Sequence, residues 1–211
     1  MYIPPAFRVE DSEKITAFIQ RYSFATLITH DGEAPFASHL PMLFHPGAGS
    51  HGTLVSHMAR SNPQWQHFCS GEEVLVIFHG PHSYISPSWY ETALAVPTWN
   101  YATVHAYGVP TVLNGHERVV SVLDELVAAH EAAFERPWTG NVPEEFRDKL
   151  IQGIVAFEIP VSRIEGKFKL GQNRSEADTR GVIDALSRSP DAGSQAMAQM
   201  MVTECKVNKS A

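Results

Sequence analysis

The tightest constraint on this chain is a hairpin near its start. The run FATLITH, residues 24 to 30, is rich in β-formers, and His30-Asp31-Gly32-Glu33 follows it. Asp-Gly supplies the positive φ that a tight antiparallel turn requires. The return strand is PFASHLPMLFH, residues 35 to 45, and the Gly-rich loop PGAGSHG leads on to a further strand, TLVSHM. Strands joined by such turns predict an antiparallel meander, the opening of a small barrel.

The rest of the chain is compatible with that start. Asp11-Ser12 caps a helix with Ile15, Phe18, Ile19 and Tyr22 on one face. SNPQWQHFCS, residues 61 to 70, reads as a short helix and EEVLVIFHG as a buried strand. The proline-bearing GPHSYISPSWYETALAVP reads as an ordered, aromatic-rich loop, and TWNYATVHAYGVPTVL as a strand pair broken near Gly108-Val109-Pro110. Helical periodicity runs from Gly115 to Glu135, with Val119, Val122, Leu123, Leu126 and Val127 in one stripe. PEEFRDKL adds a short helix, IVAFEIPVSRIEG a last long strand, and Ser175 caps a helix with Glu176 and Asp178 in its first turn. Residues 1–186 are read as one domain and 187–211 as a C-terminal tail, helical if ordered.

Composition narrows the function classes. The chain has 23 acidic and 16 basic residues, a formal net charge of −7, which works against a dedicated duplex-DNA binder because that affinity comes from Lys and Arg on phosphates. Cys69 and Cys205 form no CxxC pair, as expected of free thiols in a reducing cytoplasm. No apolar run reaches the ~20 residues of a membrane span, and the start does not read as a signal peptide. The expectation is a cytoplasmic protein with no membrane association. Despite 11 histidines there is no HExxH or paired metal-ligand spacing, and GxSxG and GxxxxGK motifs are missing, so no metal is expected.

Four segments carry chemistry. SHMARSNPQW places Ser56, His57, Arg60, Ser61 and Asn62 where a strand runs into a helix, a donor set suited to a phosphate, though also to an ordinary capped helix with a solvated Arg. In ASHLPML, Ser38 and Leu40 share one strand face and His39 and Pro41 the other; Pro41 forfeits a ladder donor and suggests an edge or bulge. VPTWNYATVHAYG alternates Trp99, Tyr101 and Thr103 against Asn100, Ala102 and Val104, a pattern of core or subunit interface. KFKLGQNR concentrates cations and amides between a strand and a helix, either as a ligand site or as a solvated turn.

In this order the blocks SHLP, H-AR-NPQW, VLVIF-GPHSYISPSWY, VPTWNYATVHAYG, RPW and EGK-KL-QNR resemble the PaiB-type family of FMN-binding negative transcriptional regulators, over roughly residues 1 to 186. The resemblance implies an antiparallel split β-barrel of the pyridoxamine-phosphate-oxidase type with peripheral helices. It further implies a homodimer with FMN at the interface. Arg60, Ser61 and Asn62, with Ser56 and His57, would hold the flavin phosphate, and Ser38, His39, Leu40 and Pro41 would line the ring. The partner subunit would supply Trp99, Asn100, Lys169, Gln172 and Arg174. Against the family pattern, Ser38 replaces a common Asn, Phe168 a Trp, and Gly171 a Ser, the last read as a lost hydrogen-bond donor.

Two functions follow as expectations. One is a flavin-bound regulator acting on transcription directly or through a DNA or protein partner; the balanced charge of SEADTRGVIDALSR disfavours it as a recognition helix. The other is an FMN-dependent oxidoreductase acting on a small molecule, with His39 or His105 as proton donor. A plainer alternative is a dimeric module for another anion or for haem.

Overall fold

Alternation along the first strand of the hairpin sets the core. In β2 (Phe24–His30) Ala25, Leu27 and Thr29 are buried while the side chains between them are not, the period of a strand with one face inward. The computed structural model describes residues 1–205. The remaining elements are β1 (Arg8–Val9), α1 (Ser12–Arg21), β3 (Pro35–Pro41), β4 (Leu43–His45), β5 (Thr53–Ala59), β6 (Val74–Ile85), β7 (Thr98–Gly108), β8 (Thr111–Val112), α2 (His116–Glu131), α3 (Glu144–Gln152), β9 (Ile154–Lys169), α4 (Glu176–Ser187) and α5 (Ala192–Glu204). The strands form a nine-stranded sheet in the order β3-β2-β6-β7-β9-β5-β4, with β1 and β8 also paired to β9. This is the antiparallel split β-barrel class with peripheral helices, as the sequence implies. Among the described residues no helix is long and apolar enough to cross a membrane.

The chain divides into two units. One comprises Thr16–Phe78 and His105–Ile164. Its hairpin pairs Thr26 with His39 and Leu27 with Ser38, and Gly32 takes the positive φ, 98°, that the turn demands. Its core gathers Leu54, Met58, Phe68 and Phe157, with the Phe68 and Phe157 rings 5.1 Å apart. Val122 and Leu126, the buried part of the α2 stripe, pack with Val55 and Ala156. The other unit comprises Met1–Ile15, His79–Val104 and the chain from Glu165 onward. There Leu186 of α4 and Met197 and Met201 of α5 are buried, and Ser83 and Ser194 share a buried hydrogen bond of 3.0 Å.

Three elements differ from expectation. The return strand is not continuous over 35–45: it breaks at Met42, which is buried and donates its N–H to the Ser23 carbonyl at 2.8 Å. Pro41 has no N–H to extend the ladder, so β3 ends there and β4 pairs with β5 instead. The segment after Gly80 is strand rather than loop as far as Ile85, with Pro81, Ser83 and Ile85 buried and His82 and Tyr84 exposed. The β2 pairing of β6 stops at Ile77, so Pro81 breaks no bond to that strand. Finally β9 continues to Lys169, so the first part of KFKLGQNR is strand as well.

Candidate functional site

In the first unit, the segment between β5 and the following 3-10 helix (Pro63–Ser70) is tied down at nearly every residue. Ser56 is fully buried and donates to the Pro41 carbonyl at 2.6 Å, holding the end of β3 against β5. The Asn62 side chain accepts from the Gln64 N–H at 3.1 Å, an N-cap, and its amide donates to Ser38 Oγ at 2.8 Å. That bond joins the two sequence segments singled out for phosphate and for ring. Arg60 donates Nε to the Gln152 carbonyl (2.8 Å) and Nη2 to the Ile154 carbonyl (2.7 Å), across the junction of α3 and β9. Its Nη1 and the exposed Ser61 hydroxyl have no protein partner among the described residues.

His57 half-emerges from β5, but its Nδ1 is buried without a hydrogen-bond partner. Burial pushes its pKa down, which favours the neutral ring. His39 is exposed on β3, with Nδ1 3.1 Å from Thr26 Oγ1 and its ring stacked near Phe24. Leu40 and Pro41 are half-buried beside it. Gln64, which the motif reading passed over, is wholly buried and directs its amide at the carbonyls of Leu27 and Phe36, each 3.1 Å away. It clamps the hairpin to the helix start, and only the tertiary contacts reveal this.

The second unit holds the other candidates. Trp99 is 53% exposed, with the His82 and Tyr84 rings 6.2 and 6.0 Å from its own. Asn100 points inward and places its amide 3.5 Å from Met201 Sδ. Lys169 Nζ donates to Thr98 Oγ1 (2.6 Å) and the Trp99 carbonyl (2.5 Å). Its pKa is pushed down by burial first, then by the charges of Lys167 and Arg174. Gln172 closes its own loop, accepting from the Leu170 N–H and donating to the Phe168 carbonyl. Arg174 lies 4.5 Å from the centre of the Tyr90 ring. Lys167, one of the cations of KFKLGQNR though not among the implied flavin contacts, precedes Lys169 by two residues on β9.

Asn62, Ser56, Asn100 and Gln172 therefore brace their own segments. In the first unit Arg60 Nη1, Ser61 and His39 retain donors, and in the second, separately, Trp99, Lys169 and Arg174 retain donors or ring surface. Cations, hydroxyls and aromatic faces are a donor set that fits a phosphorylated heterocycle. The model of the family described as "Putative FMN-binding domain" matches residues 1–163. The chain belongs to that PaiB-type FMN-binding family. Over 208 residues it is 39% identical to "Protease synthase and sporulation protein PAI 2" of Bacillus subtilis, covering 98% of this chain and 99% of that protein. An uncharacterised protein of Emericella nidulans is 30% identical over 194 residues, covering 74% of this chain and 77% of that one.

Solved structures agree on the fold. The flavocytochrome Anf3 of Azotobacter vinelandii matches with a TM-score of 0.56 at 10% identity, over 77% of this chain and 69% of that one. The FAD and haem binding protein of Mycobacterium smegmatis matches with a TM-score of 0.54 at 13% identity, over 78% of this chain and 74% of that one. FMN is the cofactor of the PaiB-type domain.

Proposed function

We propose that the chain is a homodimeric, cytoplasmic FMN-bound regulator that reaches transcription through a protein partner rather than by reading DNA itself. The similarity to the Bacillus subtilis sporulation protein supports a regulatory role. The net charge of −7 opposes direct operator binding. So does α4, whose Val182, Ile183 and Leu186 are buried and whose Arg180 is held by Glu176 at 2.7 Å. A recognition helix needs a free basic face.

The observation that carries the flavin site is the Asn62–Ser38 hydrogen bond, which brings the helix start and the SHLP strand to one place. In this reading Arg60 Nη1 and Ser61 hold the flavin phosphate. The two carbonyls gripping Arg60 set its direction in advance, which reduces the entropy lost on binding. Ser56 and Asn62 hold the segments in register. Arg60 is the cation at this segment. Ser38, His39, Leu40 and Pro41 line the ring, and Trp99, Asn100, Lys169, Gln172 and Arg174 come from the partner protomer. Bound FMN supplies reversible redox chemistry.

The test begins with a visible spectrum of the purified protein, where flavin gives twin bands in the blue and haem an intense Soret band. FMN titration then compares wild type with Arg60→Gln and Ser61→Ala. Losing one charge-assisted hydrogen bond weakens binding by about one to two decades. A thermal melt of Arg60→Gln separates lost affinity from lost bracing of Gln152 and Ile154. Undiminished FMN affinity in both variants would overturn this placement of the phosphate.

A further inference from the structure

Helix α3 is held largely by polar ties. None of its nine residues is fully buried, and Phe146 and Leu150, one turn apart, are 53% and 57% exposed. Arg60 fixes its C-terminal end, giving its backbone N–H to the Gly153 carbonyl at 2.8 Å and its guanidinium to the carbonyls of Gln152 and Ile154. His116 at the start of α2 and Asp148 of α3 stand 3.5 Å apart. A helix this short does not persist in water unaided. These ties therefore keep a partly apolar surface on display.

A groove of about 590 Å³ runs along the face of α2 that points away from the buried Val122 and Leu126. It is lined by Val120 and Ala128, by the carboxylates of Glu117, Asp124 and Glu125, and by Arg147 from α3. Glu125 is engaged by His45 at 3.4 Å and by the Ser121 hydroxyl at 3.0 Å. Among the described residues no ion pair takes Glu117, Asp124, Glu144 or Glu145. Residues 116–152 hold eight acidic and four basic residues, a net −4 of the chain's −7. All of this surface lies in the first unit.

Exposed apolar side chains among unpaired carboxylates restrict what can cover them. Nucleic acid and an anionic membrane bring more charge of the same sign. A second copy seated through the same patch sets carboxylates against carboxylates, because a two-fold contact uses one surface twice. A cationic surface with its own apolar stripe is attracted and buries Phe146 and Leu150.

We infer that the α2–α3 surface docks a basic amphipathic helix of a partner protein, its apolar stripe on Phe146 and Leu150 and its Lys or Arg side chains toward Glu117 and Asp124. The inference rests on the reading that this chain reaches transcription through a protein partner. It gives that partner a place on the fold and a chemistry.

The experiment uses the full chain loaded with FMN and a labelled leucine–lysine peptide of about 18 residues, long enough to hold a helix, with its leucines on one helical face. One control peptide scrambles the leucines around the helix; the other replaces every lysine by glutamate. Fluorescence anisotropy at physiological salt is expected to show saturable binding of the first peptide, with both controls at least about tenfold weaker. Leu150→Ser and Asp124→Lys are each expected to weaken the first peptide by about tenfold, with FMN affinity, read from flavin fluorescence, unchanged. Phe146→Ser, at an equally exposed position, replaces Leu150→Ser should that variant fail to fold. No saturable binding overturns the inference, as does binding that the scrambled peptide matches or that both variants leave intact. Should the Ser variant dissociate a wild-type dimer in sedimentation equilibrium, the surface belongs to a second copy and the inference falls. A lost peptide with no DNA sequence preference overturns the docking site alone, whereas a sequence preference for DNA overturns the reading on which it rests.

Discussion

Asp178 shows how much one residue can do that its sequence position conceals. On the sequence it is an acid in the first turn of a helix; in the structure its carboxylate accepts from Thr92 Oγ1 (2.7 Å) and from the N–H groups of Glu91 (2.9 Å) and Thr92 (3.1 Å). The Thr92 hydroxyl first, then these backbone donors and Ser175, hold its pKa below the ordinary carboxylate value. A folded-state value below the unfolded one, about 3.9, adds stability that is fully present above the unfolded value. That stability is lost as pH falls through the folded value. The melting-temperature gap between wild type and Asp178→Asn is therefore expected to be constant near neutrality and to narrow on acidification below about pH 4. Gly171 is a second case. Read as a lost donor, it in fact occupies φ +83°, where its carbonyl accepts from the Arg174 N–H at 2.9 Å. Gly171→Ser places a side chain in the left-handed region and is expected to cost about 1 kcal/mol, roughly 2–4 °C in a melt.

At the scale of elements, polar anchors decide where strands and helices stop. Asn62 starts the 3-10 helix and also holds Ser38, so Asn62→Ala removes a cap and an inter-segment bond together. The expected loss is about 1–2 kcal/mol in chemical denaturation, with faster amide exchange in β3 as the local sign. In the second unit α4 lies so close to the turn at Pro87–Trp89 that a Cβ on Gly181 would stand 2.2 Å from the Trp89 carbonyl oxygen. Gly181→Ala is expected to destabilise by about 1–3 kcal/mol, since backbone must move rather than a side chain. Strand extents were partly legible. The hairpin and β5 follow from alternation and turn chemistry. The ends of β6, beyond Gly80, and of β9, beyond Gly166, do not, because Pro81, Ser83 and Lys167 hide a period of two that only pairing partners enforce.

For the whole molecule, ligand linkage is the most direct consequence of membership in an FMN-binding family. FMN at a hundred times its dissociation constant adds about 2.7 kcal/mol to the folded state, which for a chain of this size raises the melting temperature by roughly 5–10 °C. The proposed shared site predicts that flavin binding and dimerisation are coupled, so sedimentation equilibrium should show the dimer strengthened by FMN. A strictly monomeric protein retaining FMN would contradict a site built from two protomers. The acidic total charge predicts no salt-sensitive preference for genomic over unrelated DNA in fluorescence polarisation.

The amino-acid sequence by itself determined the family, the antiparallel barrel and the segments where donors concentrate. Turn residues, period-two patterns and cap signals are local, and motif order is readable along the chain. Tertiary structure decided which donors remain available. Ser56 and Asn100 are buried and brace their neighbours, Asn62 and Gln172 spend their amides on nearby protein atoms, and Arg60 is half-engaged by carbonyls from α3 and β9. The reason is physical: a hydrogen-bond partner distant in sequence leaves no mark on the residue that needs it, and burial belongs to the assembled contacts rather than to any one side chain.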